Sequence, residues 1–167
     1  LSISDGLTDL FNRRHFDTVF PNLISNARRY NHRICFLMLD VDYFKAYNDN
    51  NGHQKGDEVL IEIAKTLQQT IKRSGDFPFR LGGEEFGILY QTKTRDDAIN
   101  FAKKLKDAIQ NLNILHEHSP KYQLITVSMG LLCSEIQNGD TADSLYKKAD
   151  DLLYQAKAAG RNKLITN

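Results

Sequence analysis

Residue types that define several other protein classes are scarce in this sequence. Its 167 residues include no tryptophan, three prolines and two cysteines. Cys35 and Cys133 both belong to apolar runs, so we interpret them as core residues and not as a disulfide framework. Unpaired cysteines of this kind are typical of a reducing compartment, and we expect a cytoplasmic domain.

Long apolar runs are missing as well. No segment approaches the roughly 18 to 20 apolar residues that cross a bilayer, and residues 1–5 are too polar for a signal peptide. We therefore expect no direct contact between this domain and a membrane. A longer protein that contained the domain could still be attached to one.

Neither sign of charge predominates, because 22 lysines and arginines stand against 21 aspartates and glutamates, a net charge of +1. A nucleic-acid-binding surface needs a clustered basic excess, so we predict no nucleic-acid partner. A polyanionic ligand would need a local site instead.

The length fits a single domain, residues 1–167, which can bury roughly 70% of the surface of the unfolded chain.

The spacing of apolar residues predicts alternating helices and strands. We expect a helix over 12–31, interrupted or kinked at Pro21, and amphipathic helices after Gly56, Thr94 and Thr141. A short helix is predicted at 43–48, and strands at 34–39, 77–81, 84–90, 123–133 and 163–166. The pattern favours an α/β (α+β) fold with a mixed central sheet, helices on both faces and one antiparallel β-hairpin.

Gly82 and Gly83 join the two strands of the predicted hairpin, and we expect them to fill both turn positions. Glu84 and Glu85 then place two carboxylates beside the turn. These could simply be solvated, but Asp40 ends a buried strand, and ligands often bind at strand ends. If Asp40 meets the hairpin carboxylates, they form an all-oxygen site of the kind that suits Mg²⁺.

The segment after Asp40 holds further polar candidates. Lys45 could balance phosphate charge or could be an ordinary surface lysine. Asn48 and Asp57 could present an amide and a carboxylate to one edge of a flat ligand such as guanine. Taken alone, Asp57 is also explained as a helix N-terminal residue that the helix dipole stabilises. His53 stays open between a binding role and a surface role.

Five ordered motifs extend over nearly the whole chain. They are DGLTDLFNRR at 5–14, DVDYFK at 40–45 followed by ND at 48–49, GH at 52–53 with GD at 56–57, RLGGEEF at 80–86, and AKAAGRN at 156–162. Together they resemble the GGDEF family of diguanylate cyclase domains, in its GGEEF variant. Two positions depart from the family pattern: Asn51, where an apolar residue is usual, and Leu81, where tyrosine is frequent. The resemblance implies a nucleotide-cyclase, or palm-like, fold.

The resemblance also implies a reaction in which two GTP molecules condense into cyclic di-GMP and two pyrophosphates are released. Each domain would hold one GTP and face a second copy of the chain in a homodimer. Asp40 and Glu84 would bind Mg²⁺, or Mn²⁺ as a substitute, with the backbone carbonyl of Val41 and with Glu85 as a further ligand. Glu84 would accept the 3′-hydroxyl proton, and Lys45 would stabilise charge on the phosphates.

By the same resemblance, separate groups of residues bind the two ends of GTP. The phosphates would contact the backbone amides of Tyr43 and Phe44, the glycines Gly82 and Gly83, and the cations Lys157 and Arg161. The guanine would contact Asn48, His53 and Asp57, which would exclude adenine.

Arg73 and Asp76 have the spacing of the family's RxxD product-inhibition site, just upstream of the hairpin. An arginine can stack on guanine and an aspartate can accept from its N–H edge. Without the resemblance, Arg73 would be explained as a cation at a helix C-terminus and Asp76 as a turn former. The family's secondary inhibitory arginine has no clear counterpart, since the following helix carries Lys103, Lys104 and Lys106.

Two alternatives to an active diguanylate cyclase stay open at this point. One is a catalytically idle domain that senses GTP or cyclic di-GMP. The other is a related cyclase with a different nucleotide preference. Because the sequence begins almost at its first motif, we expect it to be the catalytic part of a longer regulatory protein.

Overall fold

The computed structural model describes all 167 residues. Five helices and five strands follow one another in the predicted order. The helices are α1 (Arg13–Tyr30), α2 (Phe44–Asn51), α3 (His53–Thr70), α4 (Arg95–Gln110) and α5 (Ala142–Ala158). The strands are β1 (Arg33–Val41), β2 (Phe77–Gly82), β3 (Glu85–Tyr90), β4 (Val127–Glu135) and β5 (Leu164–Thr166).

All five strands form one sheet in the order β2-β3-β1-β4-β5. β1 is antiparallel to both of its neighbours, β2 and β3 form an antiparallel hairpin, and β5 runs parallel to β4. The mixed central sheet with an antiparallel hairpin is therefore confirmed. β1 lies at the centre, and its residues from Ile34 to Val41 are all buried.

β1 contributes to the hydrophobic cores on both faces of the sheet, because side chains alternate along a strand. Cys35, Leu37 and Leu39 pack in one cluster with residues of α3 and α4. Phe36 and Met38 pack in a second cluster with residues of α1 and α5. Helices therefore cover both faces, as predicted.

The cysteines and the helices agree with what the composition indicated. Cys35 and Cys133 are buried free thiols that lie opposite each other on β1 and β4. Their interpretation as core residues is confirmed. None of the five helices combines the length and the apolar character needed to cross a bilayer.

Two helices differ from the expectation. α1 is not interrupted at Pro21, because Pro21 lies on the exposed side, where water can solvate the carbonyl that it leaves unpaired, and a kink at Pro21 stays a prediction. α3 begins at His53 and not after Gly56. Gly56 is buried within this helix, and a Cβ there would lie 1.8 Å from Asn48 Oδ1. Glycine therefore permits the close packing of α2 against α3.

The hairpin turn and the start of β4 also lie at positions other than those predicted. Gly82 ends β2 opposite Glu85, so the tight turn consists of Gly83 and Glu84. The expectation that two glycines fill the turn is wrong by one residue, because a register shift between Arg80 and Gly82 lengthens β2. Gly83 alone takes the left-handed turn conformation, with φ 45°. β4 starts at Val127, four residues later than predicted from the apolar run that begins at 123.

α5 packs directly on β4 at Gly130. A Cβ at this position would lie 2.4 Å from Leu153 N and 2.7 Å from Ala149 O, both of which are backbone atoms of α5. Helix and strand approach more closely than any side chain would allow. The contact therefore sets the distance between the sheet and the helix that carries Tyr146 and Lys157.

We expect Gly130→Ala to lower the free energy of unfolding by about 2 kcal/mol, because overpacking of this kind forces backbone shifts. Chemical denaturation measures the change. Gly6→Ala is the matched control, since nothing lies within 4 Å of a Cβ at Gly6. Equal stability of the two variants would contradict the close packing of α5 on β4.

Candidate active site

Asp40 lies near the C-terminal end of β1 and is 8% exposed. On the neighbouring strands it is paired with Glu85 and Ser128. Its Oδ2 accepts a hydrogen bond from the ammonium group of Lys157. Burial raises the pKa of Asp40 to about 6; Lys157 opposes this rise, whereas the charges of Glu84 and Glu85 add to it. Asp40 is thus a buried carboxylate among like charges, a setting that favours a bound cation.

Asp42 fixes the chain just beyond Asp40. Its buried carboxylate accepts hydrogen bonds from Thr126 Oγ1 at 2.7 Å, Ser128 Oγ at 2.6 Å and the backbone N–H of Asn162 at 3.0 Å. These bonds attach the end of β1 to β4 and to the segment after α5. No role was predicted for Asp42, although a second carboxylate at the end of an apolar strand is a signal for one.

Tyr43 turns the chain from β1 into α2. It has φ 54°, a left-handed conformation that is rare for a bulky residue. Its carbonyl oxygen lies 3.0 Å from His116 Nε2, and the Arg161 guanidinium lies 4.7 Å from the centroid of its ring. The turn brings the N-terminus of α2, at Phe44, close to Asp40, where unpaired amides and the helix dipole favour an anion.

A cavity of about 180 Å³ lies at this end of β1. It is lined by the carboxylates Asp40 and Glu84, the cations Lys45, Lys157 and Arg161, and by Val41, Asp42, Tyr43 and Phe44. No group of three or more acidic, histidine or cysteine side chains is placed to hold a metal ion without other ligands. Asp40 and Glu84 could hold one together with oxygens of a bound phosphate.

Arg80 positions the turn of the hairpin. Its Nε donates a hydrogen bond to the carbonyl of Gly83 at 3.0 Å, and its Nη1 lies 3.2 Å from Asp5 Oδ2. Burial raises the pKa of Asp5, but hydrogen bonds from Thr8 and Arg80 outweigh it and leave the pKa below its usual value. Arg80 belongs to the RLGGEEF motif, but no role for it could be predicted, because spacing along the chain does not show that Asp5 lies beside it.

A second cavity, of about 530 Å³, adjoins the first and shares Phe44, Lys45 and Glu84 with it. Its other lining residues are Asn48, Asp49, His53, Asp57, Leu60, Arg80 and Gly83. The N–H of Val41 donates to the Glu84 carbonyl at 3.3 Å, which holds Glu84 between the two cavities. The three predicted base-binding residues therefore lie together, beside most of the predicted phosphate-binding residues, whereas Gly82 lines neither cavity.

Asn48 is partly buried on the wall of the second cavity. Its Oδ1 has no hydrogen-bond partner and is enclosed against Gly56 of α3, so it belongs to the contact between α2 and α3. Asp57 and His53 are exposed and lie one turn apart on α3. Asp57 therefore presents a carboxylate acceptor to the second cavity, beside the side chains of Asn48 and His53.

The two predicted phosphate-binding lysines differ in their contacts. Lys45 Nζ lies 2.8 Å from Asp49 Oδ2, and its side chain is 90% exposed. This hydrogen bond and the charge of Asp49 raise the pKa of Lys45. Lys157 is half-buried against Asp40. Lys45 is thus free to move to a ligand, whereas Lys157 is part of the fixed wall.

Glu85 contacts a different set of groups and lines neither of these cavities. Its Oε1 accepts a hydrogen bond from the hydroxyl of Tyr146 at 3.0 Å. Burial raises the pKa of Glu85, and the Tyr146 hydrogen bond opposes that rise. Burial also raises the pKa of Tyr146 to about 12, with a further contribution from the Glu85 charge. The role of Glu85 as a further metal ligand stays a prediction.

Arg73 and Asp76 line a separate cavity of about 550 Å³. Arg73 Nη1 donates to the carbonyl of Gln91 at 2.9 Å, and the N–H of Asp76 donates to the carbonyl of Arg73 at 3.2 Å. Burial raises the pKa of Asp76, whereas the charge of Arg73 lowers it. Lys104 of α4 lines the same cavity, so a cation does face the Arg73–Asp76 turn.

Comparison with known proteins places these sites in context. A family model described as "Diguanylate cyclase, GGDEF domain" matches residues 2–163. Response regulator PleD of Caulobacter vibrioides is 35% identical over 165 residues, which cover 99% of this chain and 36% of that protein. Diguanylate cyclase VdcA of Vibrio cholerae is 38% identical over 165 residues, with 98% and 47% covered. The chain spans less than half the length of these curated relatives.

The fold of this chain is also similar to that of a solved structure. The coiled coil and GGDEF domain of DgcB from Caulobacter crescentus, in complex with c-di-GMP, matches with a TM-score of 0.88 and 28% sequence identity. The match covers 99% of this chain and 85% of that one. Since the family model extends over nearly the whole chain and relatives exceed 30% identity, this chain belongs to the GGDEF family of diguanylate cyclase domains.

Proposed function

We propose that this chain is a diguanylate cyclase domain, which condenses two GTP molecules into cyclic di-GMP and releases two pyrophosphates. The observation that carries the proposal is that Glu84 and Lys45 line both of the adjoining cavities. One cavity offers carboxylates and cations, and the other offers hydrogen-bonding groups for a flat ligand. A nucleoside triphosphate has the same division into a charged end and a flat polar end.

Mg²⁺, with Mn²⁺ as a substitute, suits the first cavity. Asp40 and Glu84 supply hard oxygen ligands, and the ammonium group of Lys157 against Asp40 indicates that this position favours positive charge. The carbonyl of Val41 and the carboxylate of Glu85 would add ligands. Mg²⁺ in proteins typically combines one or two carboxylates with waters and substrate phosphates. When bound, it would neutralise charge on the phosphates of GTP.

The reaction itself joins the 3′-oxygen of one GTP to the α-phosphorus of the other, and the bond from that phosphorus to pyrophosphate breaks. Phosphoryl transfer of this kind depends mainly on positioning and on the neutralisation of charge. Glu84 would accept the proton of the attacking 3′-hydroxyl, because Glu84 lines both cavities.

The phosphates would be held by donors that surround Asp40. Lys45, Lys157 and Arg161 supply positive charge on the wall of the first cavity. The amides of Tyr43 and Phe44 at the N-terminus of α2 would add backbone donors, and Gly82 and Gly83 would let the phosphates approach the hairpin. Lys45 would exchange Asp49 for phosphate, since its ion pair is exposed and therefore weak.

Guanine would occupy the second cavity. Its N1–H and exocyclic amine are donors, which match the two oxygens of the Asp57 carboxylate, and Asn48 on the wall of the same cavity would contact the base through its side-chain amide. Adenine lacks this pair of donors on the same edge and would leave the acceptors unsatisfied. His53 lies one turn from Asp57 on α3 and would contact the base or the ribose.

Two copies of the domain are needed to complete one reaction, because each holds one GTP. The half-sites would face each other in a homodimer, and association would convert a bimolecular encounter into an oriented one.

Cyclic di-GMP would also bind at the Arg73–Asp76 turn as an inhibitor. The cavity there supports this role, since Arg73 offers a guanidinium, Asp76 a carboxylate and Lys104 a further cation for phosphate.

We expect Glu84→Gln to reduce cyclic di-GMP formation by at least about 100-fold while GTP binding persists, because an amide cannot accept the 3′-hydroxyl proton. Chromatography measures the product, and titration calorimetry measures GTP binding. Glu135→Gln is the control, because Glu135 is exposed and pairs with Arg33 at the opposite end of β1 from Asp40. If Glu84→Gln binds GTP and turns over at the wild-type rate, Glu84 has no part in the chemistry. A wild-type domain that binds GTP or cyclic di-GMP but forms no product, even when two copies are covalently joined, would support the idle sensor instead.

Asp57→Ala tests the assignment of the base. We expect the KM for GTP to rise by about tenfold or more and the preference for GTP over ATP to shrink, because the acceptor for the guanine N–H groups is lost. Steady-state kinetics with each nucleotide, with Asp107→Ala on α4 as the control, measure the change. Comparable incorporation of ATP by the wild type would contradict guanine specificity and favour a cyclase with another nucleotide preference.

A further inference from the structure

The hydroxyl of Tyr146 lies between a carboxylate of the hairpin and an arginine of α1. It is 3.0 Å from Glu85 Oε1 and 3.2 Å from Arg13 Nη1. An arginine can only donate, so Arg13 donates to the phenol oxygen, and the one phenol proton is left for the carboxylate. The direction of both hydrogen bonds is therefore fixed as Arg13 to Tyr146 to Glu85.

We propose that Tyr146 is a positioning residue for the reaction, which acts by holding the Glu85 carboxylate beside Asp40. The inference rests on the proposed function, because it gives Glu85 a purpose in cation binding. Glu85 and Asp40 are directly paired in the register of β3 and β1. Like charges at directly paired positions of neighbouring strands repel each other, and a glutamate without a partner would turn away towards solvent. A hydrogen bond from Tyr146 opposes that movement.

The phenol is itself held firmly in place. The Tyr146 ring lies 5.9 Å from the Phe16 ring in an edge-on arrangement and 5.8 Å from the Phe36 ring. The guanidinium of Arg13 lies 4.7 Å from the centroid of the Tyr146 ring, and its Nε is 3.1 Å from Asp17 Oδ1. Contacts from α1, β1 and α5 therefore fix the hydroxyl before any ligand arrives.

The contacts of the ring and of the hydroxyl can be separated by substitution. Phenylalanine at this position keeps the aromatic packing and removes the donor to Glu85. The same helix carries Tyr154, which is 72% exposed and serves as a matched control. Tyr146→Phe and Tyr154→Phe thus make the same chemical change with and without a carboxylate partner.

The test measures Mn²⁺ affinity from the electron paramagnetic resonance signal of the free ion. The domain is saturated with a GTP analogue that has a methylene bridge between its α- and β-phosphorus atoms, so no turnover occurs. We expect Tyr146→Phe to weaken Mn²⁺ binding by about tenfold, a typical effect of losing a group that orients a ligand. Tyr154→Phe should leave the affinity unchanged, and the unfolding temperatures of the two variants should agree.

A double-mutant cycle with Glu85→Gln distinguishes positioning from a general structural role. If Tyr146 acts through Glu85, Tyr146→Phe has no further effect on Mn²⁺ affinity once Glu85 is glutamine. An unchanged affinity in the single variant, or an equal loss in both backgrounds, would overturn the inference. If the wild-type domain bound neither the analogue nor Mn²⁺, the proposed function would itself fail and the inference with it.

Discussion

Asp40 is a buried carboxylate at the end of the central strand, and two glutamates of the neighbouring hairpin add negative charge beside it. In a medium of low dielectric such a group must be paired with a cation or protonated. Lys157 supplies one cation from the end of α5. α5 and the turn into α2 meet this requirement, because they bring a cation and backbone donors to the same point, whereas the hairpin adds carboxylates and so increases the need for a bound cation.

The sheet topology makes this concentration of charge possible. In an antiparallel pair of central strands, the end of β1 lies beside the start of β3, so a hairpin that begins β3 carries its turn residues to Asp40. Asp42 fixes the end of β1 from the β4 side, and Arg80 fixes the turn from the β2 side. The site is therefore built on strands that are held from both sides. Its movable side chains are exposed ones such as Lys45.

Local patterns in the sequence predicted the order of the elements and the carboxylates near the hairpin turn, because apolar spacing and strand ends are local signals. They misplaced the start of α3, since Gly56 is inside that helix for a reason that involves Asn48 on another helix. They also missed the pair of Asp5 with Arg80 and the contact of Tyr146 with Glu85. Each joins residues far apart in the chain, and spacing contains no information about such contacts. The base and phosphate assignments came from the family resemblance and not from spacing.

The central claim is that GTP is converted to cyclic di-GMP by two domains acting together. The most direct measurement is the initial rate of cyclic di-GMP formation from GTP and Mg²⁺ at increasing protein concentration, with the products separated by chromatography. The account predicts product and pyrophosphate in a ratio of one to two, with a rate that rises more steeply than linearly with protein, because catalysis requires a pair of domains. No product even from a covalently dimerised form of the domain would contradict it.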